Sequence, residues 1–576
     1  MLRWFSRCLP GFSILALLLL MLVAFSDSFT LLPWPGVLPY PVVGGRVQSI
    51  AREIFVVYAL LVHLNMFAFT LRLSWSLFRV TEETRKALQR RSWHAPGSSS
   101  SLPLPLPPYS AEQEVQLDRT RRVDEADELE VVHAIILPNY CEDHHTLRTT
   151  LNVLASHPRA STQYEIYLAM EQKEQGAAEK AAMLVSAFEK AFHRIYTTFH
   201  PANLQGEIAG KSSNVSFAAS RVVEVHRMEL NTNTCDVIIT VMDSDTHLSQ
   251  DYFTEIRRLH FEHLAEADRS FYSCPIIFDR NSHETPILVR CADLLWGFAG
   301  LSTMYPGAPI SIPTSVYSLP LTLAEKVGGW DSDPTAIGED MHMLLKCYFG
   351  TMGNIISRTV FIPASQCNIS SDRARGWRRT LDTCNARYKQ ALRHMWGALD
   401  TGFAIRNSAT PPLGPKTSRR TACLFAFRPR HLALLSLLFE AHFLPCHGVI
   451  IMLFSVLYTL YHPTSQLSPL LARTFRVTDL LRTACFLWMN VCLALYERWH
   501  ALCLSARMKD MMLANLNDTG FSRRTWWHTK YLCERVCFPV AGTLYGAIPT
   551  LQAVFSHFWT DRLVYRVSKK PTFEAV

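Results

Sequence analysis

The chain predicts an α/β domain built on a parallel, doubly wound sheet and flanked by membrane-spanning helices. Three observations carry that expectation. Short apolar runs rich in β-branched residues, at 131–137, 164–170 and 237–242, each stop abruptly at polar residues, as buried strands of a parallel sheet do. Helical patterns alternate with them, which implies crossover connections. The apolar excess lies in blocks at both ends of the chain, while the middle has the composition of a soluble domain.

At 576 residues, two or three units are expected. Hydrophobic residues make up 49% and charged residues 18%, more apolar and less charged than a typical soluble protein. The formal net charge is +8, and the basic residues cluster beside the apolar blocks. That placement suits a membrane surface, and no basic motif with interleaved aromatics points to nucleic acid as a partner. The fifteen cysteines are scattered without a repeated Cys-x-x-Cys, which argues against a zinc site or a disulfide framework. Their odd number fits a reducing compartment. Cys503, Cys533 and Cys537 lie near apolar segments, as boundary thiols or acylation sites.

Taken in order, the chain opens with no charge between Arg7 and Asp27, a stretch long enough to span a bilayer. With Arg3 and Arg7 ahead of it, a signal peptide cut near Ser26 reads the same way. A second uncharged stretch, 54–71, is followed by Arg72, Arg79, Lys86, Arg90 and Arg91, which places what comes next in the cytoplasm. The organisation expected is two N-terminal membrane segments in 1–93 and a Pro/Ser-rich, then acidic, linker in 94–128. A cytoplasmic domain at 129–372, a basic interfacial region at 373–430 and C-terminal membrane segments at 431–576 complete it.

Within the domain, the first strand runs into Pro138, Asn139, Tyr140, Cys141, Glu142 and Asp143, with a helix to about Leu154. The second strand ends at Glu171, and a long polar helix is expected over 176–197. Gly210-Lys211-Ser212-Ser213-Asn214 opens another helix, and the central strand then stops at Asp243-Ser244-Asp245. Ligands of open α/β sheets sit beyond the carboxyl ends of the strands. Two carboxylates one residue apart at such an end suit a hard divalent cation that grips phosphate oxygens, although a turn-forming Asp at a strand end looks alike. Glu339-Asp340 opens an apolar-periodic helix, 341–348, where capping alone would also account for the pair. Arg373, Arg375, Arg378, Arg379, Arg387, Lys389 and Arg393, with Trp377 and Trp396, read as a helix on the inner membrane face. Of the last apolar stretches, 443–461 and 536–559 are expected to span. The shorter 483–496 is expected at the cytoplasmic interface, packed against the domain. Arg562, Arg566, Lys569 and Lys570 place the tail inside. The sequons at Asn214, Asn368 and Asn517 are then expected to stay unmodified.

With these motifs in order, the chain resembles the processive-type membrane glycosyltransferases of family two, relatives of cellulose, hyaluronan and β-glucan synthases and, more distantly, of ceramide glucosyltransferase. The marks are Pro138-x-Tyr140-x-Glu142, Lys211 with Asn214, Asp243-x-Asp245, Glu339-Asp340, and Gln390, Arg393 and Trp396, spread over about 131–397. The resemblance implies the A-type glycosyltransferase fold, a Rossmann-like nucleotide-binding domain. It implies that Pro138, Tyr140 and Glu142 frame uracil and ribose, and that Lys211, beside Asn214, reaches the diphosphate. Asp245 would coordinate Mg²⁺ or Mn²⁺, and Asp243 the sugar nucleotide or its cation. Asp340, with Glu339 beside it, would be catalytic, as the base that deprotonates the acceptor hydroxyl. Gln390, Arg393 and Trp396 would line the acceptor entrance and hold the leaving diphosphate, although Arg393 and Trp396 equally suit anchoring at a membrane interface.

Three departures stand out. Glu171-Gln172-Lys173 replaces the usual Asp-Asp, and Glu171 is assigned to the nucleotide. The Gln390…Trp396 element is two residues longer than usual, and Gly-Lys-Ser-Ser replaces Lys-Ala-Gly. The expected activity is inverting transfer from a nucleoside diphosphate sugar, a UDP-sugar, to a growing β-linked polysaccharide. The alternatives are a non-processive glycolipid-forming enzyme and a non-catalytic nucleotide-binding membrane protein. The expected partners are the donor, a glycan or lipid acceptor and the bilayer of the plasma membrane, Golgi or ER.

Overall fold

The computed structural model describes residues 2–26, 45–93, 131–202, 204–208, 210–229, 236–371, 376–409, 428–462, 467–516 and 529–563. The 94–128 linker, Arg373 and Arg375, the sequon at Asn517, and Arg566, Lys569 and Lys570 of the tail lie outside these residues.

The apolar runs form strands β1 (Val132–Asn139), β2 (Tyr164–Glu171) and β4 (Val237–Val241), all buried almost throughout. Alternate residues of β1 point to opposite faces. Ile135 and Leu137 join a core with Leu151, Ile166 and Leu184, while Ala134 and Ile136 join another with Val215, Val222 and Leu345. Two helical layers on a sheet buried on both faces explain why these strands are continuously apolar.

The sheet has seven strands in the order β3 (Arg194–His200), β2, β1, β4, β7 (Tyr317–Pro320), β5 (Ser270–Ser273), β8 (Ile356–Thr359). β1 pairs in parallel with both β2 and β4, so the chain winds outward from β1 through β2 to β3 and returns to the other side of β1. That reversal is a topological switch point, where the helices diverge and leave a crevice beyond the strand ends.

Two details correct the expectation. The proposed long helix over 176–197 is a shorter helix, Ala177–Phe188, followed by a strand, β3 (Arg194–His200). The Ile195–Phe199 run is β-branched and aromatic, and it pairs with β2 in register Ile166↔Ile195 to Glu171↔His200. The sheet is also mixed. β7 (Tyr317–Pro320) runs antiparallel to both β4 and β5 (Ser270–Ser273), and β8 (Ile356–Thr359) is parallel to β5. Strands β6 (Ile276–Phe278) and β9 (Ala364–Gln366) make a separate parallel pair.

Among the described residues, four helices are long and apolar enough to cross a membrane: Leu2–Ala24, Gly45–Arg90, Leu444–Tyr461 and Pro469–Leu513. The expected interfacial stretch 483–496 is therefore not a separate element. It is the middle of a 45-residue helix, which at 1.5 Å per residue reaches roughly 68 Å, about twice the hydrocarbon thickness. This helix runs parallel to Gly45–Trp93, since Trp488 Nε1 donates to Ser74 Oγ (3.0 Å) and Trp499 Nε1 to Thr84 Oγ1 (3.2 Å). Its lower half packs Leu493, Tyr496 and Trp499 against Leu294 and Phe298 of the domain helix Ile287–Leu301.

The expected span at 536–559 lies mostly in one continuous helical run, 529–556, with a π-turn inside it. Helix Thr529–Gly542 contains Pro539, a π-turn follows at Thr543–Ala547, and Ile548–Ser556 starts with Pro549. The segment lies against the domain, where Glu534 makes a fully buried ion pair with Arg290 (2.8 Å).

Candidate functional site

The carboxyl ends of β1 and β4 meet at the switch point. β1 turns sharply at Cys141, which has a left-handed backbone (φ 61°). Tyr140 N donates to Glu142 Oε2 (2.6 Å) and Cys141 N to Glu174 Oε2 (2.9 Å). Lys180 ties the turn from beneath, pairing with Glu174 and donating to Glu142 O (3.0 Å). Lys173 Nζ lies 4.5 Å over the Tyr140 ring.

β4 delivers Asp243 and the buried Asp245. Lys211, the first residue of helix Lys211–Glu224, reaches across to Asp243 Oδ1 (2.8 Å) and Glu339 Oε2 (3.1 Å). Burial opposes charge on Lys211, but Asp243, Glu339 and Asp340 outweigh it and hold the ammonium well above its ordinary range. Burial raises the Glu339 carboxyl, with Lys211 pulling it back down. Tyr317 OH donates to Glu339 and itself accepts from Trp330 Nε1 (2.6 Å), so Glu339 is fixed from behind. Asp340, in the first turn of helix Glu339–Gly350, accepts from Ser315 N (2.7 Å) and Met341 N (2.9 Å). Ser315 has φ 66°, rare for a residue with a Cβ, and strain of this kind gathers at functional sites. Behind Asp245, Arg280 donates to its backbone carbonyl and contacts His247 Nε2 (2.9 Å).

The opposite wall comes from helix Trp377–Met395. Arg387 is buried, paired with Asp293 (2.8 Å) and donating to Ala292 O (2.9 Å). This helix therefore carries two faces. Trp377 and Leu381 are exposed, while Arg387, Gln390, Arg393 and His394 turn toward the domain's cavity. His394 stacks on Trp296 with centroids 4.2 Å apart.

One cavity collects nearly all the residues proposed from the sequence. Pro138, Tyr140, Glu142, Glu171, Lys211, Asn214, Asp243, Asp245, Glu339, Asp340, Gln390 and Arg393 all line it. Trp396 does not. Its buried ring packs edge-on against His557 (4.9 Å), beside Leu399 and Ala553. The longer Gln390…Trp396 spacing carries it past the end of the helix into a 3₁₀ turn. Asn214 donates to Ala169 O (2.8 Å), so it also ties the helix to β2. Sequence reasoning missed Ser315, Asp293, Trp296 and His394, which also line the cavity. His394 lies between the marked residues of the Gln390…Trp396 element, and the other three sit in no motif; only the fold brings the four together.

Residues 238–499 match the model of glycosyl transferase family group 2. This glycosyltransferase match starts inside β4 and takes in Asp243, Asp245, Glu339, Asp340, Gln390 and Arg393. The residues from Pro138 to Asn214 precede it. No curated protein matches the chain. Among solved structures, the mannosyltransferase PcManGT from Pyrobaculum calidifontis, in complex with GDP-Man and Mn²⁺, is 14% identical. That alignment covers 73% of this chain and 98% of that one, at a TM-score of 0.34. Residues 1–349 of TarS from S. aureus are 10% identical, covering 71% of this chain and 91% of that one, at a TM-score of 0.31. Likenesses this loose add no argument about the site, which stands on its own residues.

A hard divalent cation is commonly held by one or two carboxylates, with substrate phosphates and water completing the shell. Asp243 and Asp245, both on the cavity wall, make such a pair, and the donor set fits Mg²⁺ or Mn²⁺. Among the described residues, no group of three or more His, Cys, Asp or Glu is placed to hold an ion alone.

Proposed function

We propose that the protein is a membrane-bound inverting glycosyltransferase that takes its sugar from a nucleoside diphosphate sugar, a UDP-sugar. The observation that carries this reading is the convergence of Lys211, Asp243, Glu339 and Asp340 at the β1/β4 switch point, on a cavity shared with Asp245. The nucleoside lies over the β1 turn, framed by Pro138, Tyr140 and Glu142, with Glu171 at the base. Lys211, at a helix N-terminus, meets the diphosphate. A divalent cation on Asp243 and Asp245 supplies neutralisation of the charge that develops on the leaving diphosphate. Asp340 takes the proton of the acceptor hydroxyl. Its two backbone donors aim the carboxylate, and each oxygen keeps a further acceptor position. Attack from the face opposite the leaving group gives a β-linkage. Gln390, Arg393 and the Trp296–His394 stack form the acceptor side.

The acceptor separates two readings. A polysaccharide passed through the membrane needs a polar path. The interior of the four long helices is instead packed with Leu17, Phe55, Val62, Leu444, Ile451 and Phe475, and its buried polar side chains, His63, His447 and Ser455 among them, are bonded to neighbouring helix groups. That packing favours a hydroxyl presented at the bilayer surface by a lipid-borne acceptor, with polymer synthesis as the second reading. The test is UDP release by the purified, detergent-solubilised protein from a panel of UDP-sugars with Mn²⁺, with and without added membrane lipids. Lipid-stimulated release from one donor is the expected result. No release from any donor would remove the glycosyltransferase reading.

A further inference from the structure

Strand β3 brings a group to the nucleoside end of the cavity that no motif contains. Glu171 and His200 are register partners at the ends of β2 and β3. His200 Nδ1 lies 3.3 Å from Glu171 Oε2, and His200 Nε2 lies 2.9 Å from Glu207 Oε2. Both His200 and Glu171 are buried, and Glu171 is on the cavity wall. Lys173 Nζ also approaches Glu171 Oε2 (3.5 Å), so both contacts fall on one oxygen and neither on Oε1. The Phe217 ring covers His200 edge-on (5.7 Å). An imidazole with a carboxylate on each nitrogen is matched to the doubly protonated form, which donates on both sides.

We propose that His200, clamped between Glu171 and Glu207, is a positioning residue that fixes the Glu171 carboxylate to accept a ring N–H from the donor's nucleobase. This rests on the donor reading above and sharpens it. A carboxylate there accepts from bases that carry a ring N–H at their pairing edge, uracil or guanine. It repels cytosine and adenine, whose ring nitrogen at that edge is a lone pair. The hydrogen bond to Glu171, burial acting against it, and the bond to Glu207 together raise the His200 pKa above its ordinary value. The sign follows: the clamp is complete while His200 is protonated and is lost as pH rises through its raised pKa. Glu171, Glu207 and Lys173 are the charged groups that face it.

The experiment measures binding of UDP, GDP, CDP and ADP to the full-length protein with Mn²⁺, between about pH 6.5 and 9, where uracil keeps its ring proton. The proteins are the wild type, His200→Gln and Glu207→Gln. Wild-type protein is expected to bind UDP or GDP in preference to CDP and ADP, with the preference shrinking at the alkaline end. His200→Gln should lose roughly ten-fold in affinity for the preferred nucleotide at neutral pH, about 1.4 kcal/mol. It should lose little for CDP, and its pH profile should be flat. Glu207→Gln, at a partly exposed position, should keep neutral binding and move the alkaline decline to lower pH. A His200→Gln variant with unchanged selectivity and an unchanged pH profile would overturn the proposal. So would a Glu207→Gln profile that stays in place, should His200→Gln fail to fold. Wild-type protein that binds none of the four nucleotides would instead remove the donor reading itself.

Discussion

Asp340 and Asp245 are both cavity carboxylates, yet their surroundings assign them different tasks, and their variants separate them. Asp340→Asn keeps the shape and the backbone donors' neighbour but removes the proton acceptor. Turnover is expected to fall about 10²–10⁴-fold with donor affinity nearly unchanged. Asp245→Asn removes a charged cation ligand, so donor affinity and turnover should fall together, and EDTA should abolish wild-type activity. Full activity in EDTA would rule out metal dependence. Two residues after Asp340, His342 contacts Asp400 Oδ1 (2.6 Å) and Asp331 Oδ2 (3.0 Å), and Lys346 joins Asp331 (2.5 Å). Burial works against the charge, but Asp331 and Asp400 raise His342 to about 9, while burial pushes Asp400 up to about 6. The His342 contribution to stability is therefore present below its ordinary pKa and is lost as pH rises through about 9. The penalty for ionising Asp400 offsets much of it at neutral pH, as is common for buried pairs. The thermal unfolding midpoint should fall as pH rises from 7.5 to 9.5. His342→Gln should lower it at pH 7.5 and remove most of that slope; a variant that keeps the full slope would show that another group sets it. Gly338 belongs to the same device, because a Cβ there would lie 2.7 Å from Asp400 Oδ2.

At the scale of elements, how legible each one was depended on where its information lay. β1, β2 and β4 are buried on both faces, so composition alone marks them, and the polar residues that stop them are the residues of the site. β3 is an edge strand with Arg194, Thr197 and Thr198 among its apolar residues, half-exposed, so it blended into the polar helix before it. With it went His200, which no pattern at Glu171 could announce. The Arg387–Asp293 pair and Ser315 were hidden for another reason: each acts through a neighbour far along the chain. The apolar stretch at 536–559 is helical as expected, but a run without charges says nothing of the π-turn inside it or of what its ends bind. Pro539, the π-turn and Pro549 alter its hydrogen bonding without ending it, and Glu534, just ahead of it, anchors it to the domain. Glu534 and Arg290 are both about 2% exposed, with Tyr531 4.4 Å from the guanidinium. Glu534→Ala removes the carboxylate that faces the buried Arg290 guanidinium and should cost about 3–5 kcal/mol. The double variant Arg290→Met, Glu534→Leu should recover most of that. Equal losses in the single and double variants would mean that the segment is held by its apolar contacts instead.

At the scale of the whole molecule, the long helices define two ends. Arg52 Nε donates to Ala24 O (2.7 Å), and the Phe25 ring meets Phe55 (5.2 Å) and Tyr458 (4.8 Å), all at the end away from the sheet. At the other end the start of the first helix is bound to the domain. A Cβ on Gly402 would lie 2.9 Å from Ser6 O, Arg406 donates to Ser6 Oγ (2.7 Å), and Arg7 pairs with Asp561 (2.7 Å). Leu2–Ala24 and Leu444–Tyr461 therefore run away from the domain, and Gly45–Trp93 and Pro469–Leu513 run back toward it. We propose that two crossings follow the domain, in keeping with the charges of the tail, and that the second is made by Pro469–Leu513. The final segment instead exposes Leu532, Val536, Val540, Leu544 and Ile548, spaced four residues apart, as one apolar stripe. Such a stripe beside apolar helices suits a bilayer surface. Epitopes inserted after His462, after Asn515 and after Leu563 separate the two arrangements in sealed vesicles. The expected result is that the epitope at 462 is reached only from the side opposite the domain, and those at 515 and 563 only from the domain side. An epitope at 515 reached from the far side, with 563 on the domain side, would make 536–559 the returning span. It would then have to carry Pro539 and Pro549 through the bilayer and give up the contacts that now bind its ends to Arg290 and Arg7.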